Sequence, residues 1–575
     1  MRERKMIQDE EGPSLFPGME ELGIGSIRRM EERKADEFEE DARFERALLD
    51  YDDDSYDDDS DYDGDYDEDY EEPESVSRKG KVLDRESERL IDGRELTAED
   101  LKNLRPVGRG PYLFISCTFI LLFLLLIGQV VYFNLYQKDA ILDSPYNRRQ
   151  NSLSDSIIRG RILSEDGEAL AYTYSGDDGY EERVYPYANM YAHTVGYASH
   201  GKNGIESVAN YQLMTSHTNL IDQIANDFSG KKNQGDDVVT TLNTRMTQYA
   251  WDALGDYRGA VIVMDPKTGA ILAMVAKPNF DPNTLAETWE EMVSDSSNSQ
   301  LLNRATQGLY PPGSTFKIVT TLAYMRSKHN LDTFRYDCTG IFEIGNTTVH
   351  CYKDAVHGEE DFKYAFAHSC NTAFAQIGLD TGAKALGDTA EKLLIGKELP
   401  SDLYASKSRY SLTEQSGEAE LVQTAFGQGK TLVTPYQMAL IVAAIANDGV
   451  LMKPYLIDHA VTPTGKILNQ TKPSKYTTLM TKSETQVLKQ LMKAVVDDGS
   501  ASALSGRSYE VAGKTGSAEF TKSDGTVGTH SWFVGYTGGE NPDLVISVLA
   551  ENGGAGSSTA VPIAERILDS WYSEW

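Results

Sequence analysis

From Leu113 to Phe133 the chain reads LFISCTFILLFLLLIGQVVYF, a run without a single charged side chain. As a helix rising about 1.5 Å per residue it covers about 30 Å, the thickness of the hydrocarbon layer of a bilayer. Two other fates are open to such a run. A buried core helix is seldom apolar on all sides. A cleaved signal peptide does not lie behind about a hundred polar residues, and it needs a small-residue cleavage site that is missing here. The run therefore reads as a signal anchor, within residues 111–135. Lys102, Arg105 and Arg109 precede it and Lys138, Arg148 and Arg149 follow it, so the flanking charge is nearly balanced and does not set an orientation.

Ahead of the anchor, residues 1–110 hold 37 Asp and Glu against 18 Lys and Arg, a large share of the net charge of −34 over 575 residues. This balance argues against nucleic-acid binding, which needs a basic face. The tract Tyr51–Glu72 (YDDDSYDDDSDYDGDYDEDYEE) lacks aliphatic side chains and cannot bury enough apolar surface to offset chain entropy, so a disordered acidic tail is expected. A short helix near Glu31–Leu49 is allowed within it. Asp59, Asp61, Asp63 and Gly64 imitate the start of a calcium loop, but Tyr70 stands where the closing carboxylate belongs, and a solvated acidic segment is the better reading.

After the anchor, residues 136–237 mix Tyr, Gly and Asn and suggest a small pedestal domain. Arg159-Gly160-Arg161-Ile162 leads to a turn at Asp166-Gly167, and Gly204-Ile205-Glu206 opens a helix running to Met214. Residues 238–575 carry a clearer globular pattern. Ala260–Met264 and Ile271–Ala276 flank a turn sequence and form a hairpin. Tyr509–Ala512, Trp532–Tyr536 and Leu544–Leu549 read as three further strands. Helices are expected at Phe316–Arg326, Asp361–Thr381, Leu432–Ala446, Ser483–Val496 and Val561–Trp571. The fold class is therefore α+β: a five-stranded, mostly antiparallel sheet flanked by helices, with a large helical insertion.

Three short motifs lie in this last region: Ser314-Thr315-Phe316-Lys317, Ser369-Cys370-Asn371 and Lys514-Thr515-Gly516-Ser517. Pro311-Pro312-Gly313 marks a helix start before Ser314, and Lys317 three residues on shares its face. Serine needs a neighbouring base to become a nucleophile, and a desolvated lysine near a second cation such as Lys514 can serve. Ser369 can relay a proton to a leaving amine, and Asn371 can hold a substrate amide. Lys514 and Thr515 suit a carboxylate, and Gly516, lacking a side chain, lets a substrate backbone approach. The backbone amides of Ser314 and Ser517 could share one oxyanion. Taken singly, each motif is better explained by a cap, a helix boundary or a strand end. Their order and contexts together favour serine acyl transfer.

The set resembles the penicillin-binding superfamily, and within it a short class B penicillin-binding protein. The resemblance runs from Arg159 to the C-terminus. Arg159-Gly160-Arg161-Ile162, Gly204-Ile205-Glu206, Asn303-Arg304-Ala305, Gly427-Gln428-Gly429 and His530-Ser531-Trp532-Phe533 fit it too, while Cys370 occupies a position that varies in the family. The resemblance implies the penicillin-binding transpeptidase fold and a peptidoglycan D,D-transpeptidase open to inhibition by β-lactams. Ser314 is the implied nucleophile, Lys317 the base and Ser369 the proton shuttle. Asn371, Lys514, Thr515, Gly516 and Ser517 would bind the stem peptide, and no metal or organic cofactor is implied. It further implies a cytoplasmic tail, an extracytoplasmic catalytic domain and a polytopic glycosyltransferase partner in the membrane. A D,D-carboxypeptidase using water as acceptor, a β-lactam sensor and a tail that recruits cell-wall partners are the competing readings.

Four cysteines rule out a disulfide scaffold. Cys338 and Cys351 flank a hairpin candidate, Ile341–Thr348, and are equally compatible with one bond or two free thiols. A zinc site drawing on Cys338, Cys351, His350 or His357 is disfavoured, since neither cysteine has a close-spaced partner.

Overall fold

A computed structural model describes residues 109–133, 156–176, 179–295, 298–522 and 524–573, together with a two-stranded pairing of Leu90–Ile91 with Arg94–Glu95. The expected helix near Glu31–Leu49 and the Tyr51–Glu72 tract lie outside the described residues. The apolar run forms one helix, α1 (Arg109–Tyr132), exposed from Gly110 to Tyr132, as a helix built to meet lipid would be.

The pedestal region contains β1 (Ile162–Leu163), β2 (Ala169–Ser175) and β3 (Glu181–Val184). The expected helix from Gly204 is kinked at Ala209 into two short pieces, Gly204–Val208 and Asn210–Leu213. Glu206 on the first piece is fully buried and bonds Arg159 Nε at 2.6 Å and Arg183 Nε at 2.7 Å, with Tyr185 Oη at 3.2 Å. Burial pushes its carboxyl pKa up, but the two guanidiniums more than offset this and hold it below the ordinary value. Two of the sequence motifs thus meet in one buried ion cluster. Gly160 has a local reason as well: a Cβ there would stand 1.9 Å from the Asp236 carbonyl oxygen.

β4 (Asp237–Thr240) runs parallel to β1 and antiparallel to Ile457–Val461. One six-stranded sheet therefore contains strands from both sides of the boundary placed at residue 237.

The second sheet starts after α2 (Thr244–Leu254) with the hairpin β5 (Gly259–Met264) and β6 (Ile271–Lys277). A helical insertion follows. A single 3₁₀ turn, Gly313–Phe316, opens into α3 (Lys317–Arg326). Two separate two-stranded ribbons come next: β7 (Arg335–Cys338) pairs with β10 (Gly358–Asp361), and between them β8 (Ile341–Ile344) pairs with β9 (Thr347–His350). The single helix expected over Asp361–Thr381 is instead α4 (Phe362–Ala367) and α5 (Asn371–Thr381). Ser369 between them has φ +61°, a left-handed conformation that a continuing helix cannot contain. α6 (Pro435–Ala446) is buried along its whole length, with Thr434 as its N-cap and Pro435 in its first turn. α7 (Lys482–Asp497) starts with a capping box of Thr481 and Glu484.

The chain then returns to the sheet as β11 (Val511–Thr521), β12 (Val527–Thr537) and β13 (Val545–Ala550), and ends in α8 (Ala560–Ser573). The sheet order is β6-β5-β13-β12-β11, antiparallel throughout. Every residue of β5 and β13 is buried. α2 and α8, packed on each other, and α6 supply the covering layers. β11 corrects one expectation: Tyr509–Ala512 was to end before Lys514, yet the strand continues to Thr521. Gly513 and Gly516 lower local strand propensity, but pairing with β12 along all eleven residues outweighs it.

Candidate active site

The three motifs converge on one cavity of about 420 Å³. Ser314, Ser369, Asn371, Thr515, Gly516 and Ser517 line it. Ser314 lies in the 3₁₀ turn and Lys317, three residues on, is the first residue of α3, so the two fall on the same side of the chain. The turn is held from several sides. Gly313 N donates to Gly427 O at 2.9 Å, Thr315 Oγ1 to Pro312 O at 2.6 Å, and Trp532 Nε1 to Pro311 O at 3.1 Å. Gly427 has φ +90°, and a Cβ on it would fall 1.7 Å from the Gly313 carbonyl oxygen. This explains the Gly427-Gln428-Gly429 motif as a mould for the serine turn.

Lys317 and Lys514 lie beneath the cavity, both fully buried. Lys317 Nζ donates to Ser369 O at 2.6 Å, Ser369 Oγ at 3.2 Å and Asn371 Oδ1 at 2.9 Å. Lys514 Nζ donates to the same Ser369 Oγ at 2.9 Å and to Thr515 O at 3.2 Å. The Ser369 hydroxyl thus bridges the two lysine nitrogens. The left-handed turn at Ser369 is what aims it there, and α4 and α5 supply Phe366 and Phe374 as aromatic floors under Lys514 and Lys317.

Burial lowers the Lys317 pKa from 10.5 to about 8. Lys514 is driven well below its ordinary value, first by burial and then by the charge of Lys317. Burial is the leading cause for both lysines, and the two meet through the Ser369 hydroxyl.

Gly516 lines the cavity and has a packing role as well: a Cβ on it would stand 3.0 Å from Thr315 Cγ2 and 3.0 Å from Trp532 Cβ, so its small size seats β11 against the serine turn. Asn371 is engaged at both ends, since its Nδ2 donates to His350 O at 2.9 Å while its Oδ1 accepts from Lys317. One amide hydrogen is left to face the cavity. Ser500, which no motif marks, lines the cavity with its Oγ 2.5 Å from Thr515 Oγ1. It follows α7 in a loop, and nothing local in the sequence distinguishes it from other loop serines.

Cys338, Cys351 and Cys370 are buried free thiols. His357 joins them, and Cys351 and His357 also form part of the cavity wall. Cys370 reaches this cluster from the start of α5.

A serine three residues before a buried lysine, a bridging second serine, and a Lys-Thr-Gly strand at the edge of a five-stranded antiparallel sheet define the penicillin-binding class of acyl-transfer proteins. Comparison with known proteins agrees. The penicillin binding protein transpeptidase domain matches residues 259–569, and the penicillin binding protein A dimerisation domain matches residues 159–238. The chain belongs to the penicillin-binding protein transpeptidase family. It is 31% identical to the peptidoglycan D,D-transpeptidase PbpA of Mycolicibacterium smegmatis over 482 residues, covering 79% of this chain and 97% of that one. The acyl-enzyme complex of penicillin-binding protein A from M. tuberculosis with ceftriaxone superposes with a TM-score of 0.67 at 30% identity, covering 73% of this chain and 99% of the other. The D,D-transpeptidase domain from Eggerthella lenta gives 0.66 at 33% identity, covering 72% and 98%.

Proposed function

We infer that this chain is a membrane-anchored serine D,D-transpeptidase that cross-links peptidoglycan stem peptides and is acylated by β-lactams. The observation that carries the reading is the Ser369 hydroxyl, 3.2 Å from Lys317 Nζ and 2.9 Å from Lys514 Nζ, beneath a cavity lined by Ser314.

The chemistry follows from that arrangement. Neutral Lys317 takes the proton as Ser314 Oγ attacks the carbonyl carbon of the penultimate D-Ala, and the backbone amides of Ser314 and Ser517 stabilise the oxyanion. The proton passes through Ser369 Oγ to the departing D-Ala amine as the C–N bond breaks. Thr515 and Ser500 hydroxyls face the terminal carboxylate of the peptide, whose charge favours the protonated form of Lys514 behind them. A protonated Lys514 then disfavours a second charge on Lys317, so substrate binding itself readies the base. An amine from a second stem peptide resolves the acyl-enzyme by the reverse sequence.

The same reading places α1 across the membrane with the N-terminal tail in the cytoplasm, the catalytic domain outside, and a polytopic glycosyltransferase as membrane partner. Labelling the full chain with a fluorescent penicillin tests the nucleophile. Wild type should label covalently and Ser314→Ala should not. Label retained by the alanine variant would remove Ser314 from the role.

A further inference from the structure

We propose that the pedestal helix Leu220–Ser229 lies in the interface of the bilayer that α1 crosses, with Leu220, Ile221, Ile224 and Phe228 inserted among the lipid chains. The inference rests on the membrane part of the reading above and is independent of its acyl-transfer chemistry.

The helix is built inside out. At about 100° per residue these four side chains share one arc of about 100°. In a folded domain such a stripe faces the core. Here it faces away: Leu220 is 69% exposed, Ile221 79%, Ile224 47% and Phe228 90%, and no residue of the helix is buried. The polar side is the half-buried one. Asn226 Nδ2 donates to Asn233 Oδ1 at 2.9 Å, and Gln223 Nε2 donates to Thr218 O at 2.9 Å. Both ends are nonetheless well made. The Asn219 side chain accepts from Asp222 N at 2.9 Å, and Gly230, at φ +65°, closes the last turn. Helices this short are marginal in water without apolar burial, and the protein side offers none. The burial has to come from outside the domain.

Continuity with the anchor selects lipid as the occupant. Ile157–Ile158 lies on the chain coming from α1 and pairs in parallel with Asn233–Gln234, and Asn233 is the residue that holds Asn226. The helix is therefore fastened to the segment that arrives from the membrane. Size agrees. Four side chains make a patch of a few hundred Å², short of the roughly 800 Å² that each partner gives a stable protein interface. A bilayer asks less, because α1 already holds the chain beside it and insertion is then an intramolecular step. Charge sets the mode. The helix carries Asp222 and Asp227 and no basic residue, and Lys232 beyond its end is paired with Glu181 at 3.0 Å. Attachment is thus by apolar insertion rather than by attraction to anionic headgroups.

A second contact beside the anchor gives the pedestal a fixed tilt. The six-stranded sheet shared with the catalytic domain passes that tilt on, so the helix sets the height of the Ser314 cavity above the membrane.

The test uses the full chain in nanodiscs of zwitterionic phosphatidylcholine, loaded at one chain per disc. Co-elution with the discs reports the α1 anchor separately. With acyl chains brominated, the added fluorescence of Phe228→Trp should be quenched at least about twofold more than that of Ser229→Trp on the opposite side. Raising salt from about 0.05 to 0.5 M should leave this unchanged. Ile221→Glu combined with Phe228→Glu should speed amide hydrogen exchange across the helix in discs roughly tenfold, while penicillin labelling in detergent stays at the wild-type rate and shows that the variant is folded. The proposal is overturned if Trp at 228 escapes the bromines in discs that hold the chain, or if its quenching disappears at high salt. It is equally overturned if that Trp leaves water only when two chains share a disc, which would make the face a contact between copies.

Discussion

The burial of Lys317 makes a quantitative prediction about pH. An ordinary lysine with pKa 10.5 is neutral about once in 3,000 molecules at pH 7; one held at about 8 is neutral about once in ten. Desolvation thus raises the population of the working base about 300-fold. The sign follows directly: a lowered lysine pKa makes the base form appear as pH rises through about 8. The second-order rate of acylation by a fluorescent penicillin, which reports free-enzyme pKa values, should rise about tenfold from pH 6 to pH 7 and level off above pH 9. Lys514→Met separates two accounts of this limb. Both lysine nitrogens bond one hydroxyl oxygen, at 3.2 and 2.9 Å, so they are at most about 6 Å apart. At an effective dielectric of about 20, two charges there repel by about 3 kcal/mol, or about two pKa units. If burial alone sets the Lys317 pKa, removal of Lys514 should leave the limb within about half a unit of 8. The rate itself should fall roughly 10- to 100-fold through loss of a charged carboxylate partner. A limb that moves by about two units would show that Lys514 carries the resting charge, and a flat profile would remove Lys317 as the base.

Other substitutions probe the support around the site. Gly427→Ala places a Cβ against the Gly313 carbonyl at a left-handed position, and should cut soluble yield, thermal stability and penicillin labelling together. Gly516→Ala should cost about 1–3 kcal/mol in denaturant titration by overpacking against Thr315 and Trp532, and should slow acylation by displacing the serine turn. Glu206→Ala leaves Arg159 and Arg183 buried without their partner and should cost about 3–5 kcal/mol. Its thermal unfolding should shift markedly, while the folded protein at low temperature should still label at Ser314.

The sequence on its own determined the acyl-transfer class, the long apolar helix α1 and the antiparallel sheet, because these rest on signals carried by neighbouring residues. The β5–β6 hairpin follows from a turn between two apolar runs, and Ser314 and Lys317 from a spacing of one turn. Lys514-Thr515-Gly516 was legible as a motif but not as the middle of a strand, since its glycines weaken the local signal and only pairing with β12 overrides it. The break between α4 and α5 was hidden for a similar reason: Ser369 adopts φ +61° to reach two lysines from distant segments, and no adjacent residue announces that. The fall in the Lys317 pKa, the seating of β11 by Gly516 and the gathering of three cysteines with His357 belong to tertiary structure alone. Desolvation, steric contact and the clustering of thiols depend on which atoms come within a few ångströms, and chain order sets that only after folding.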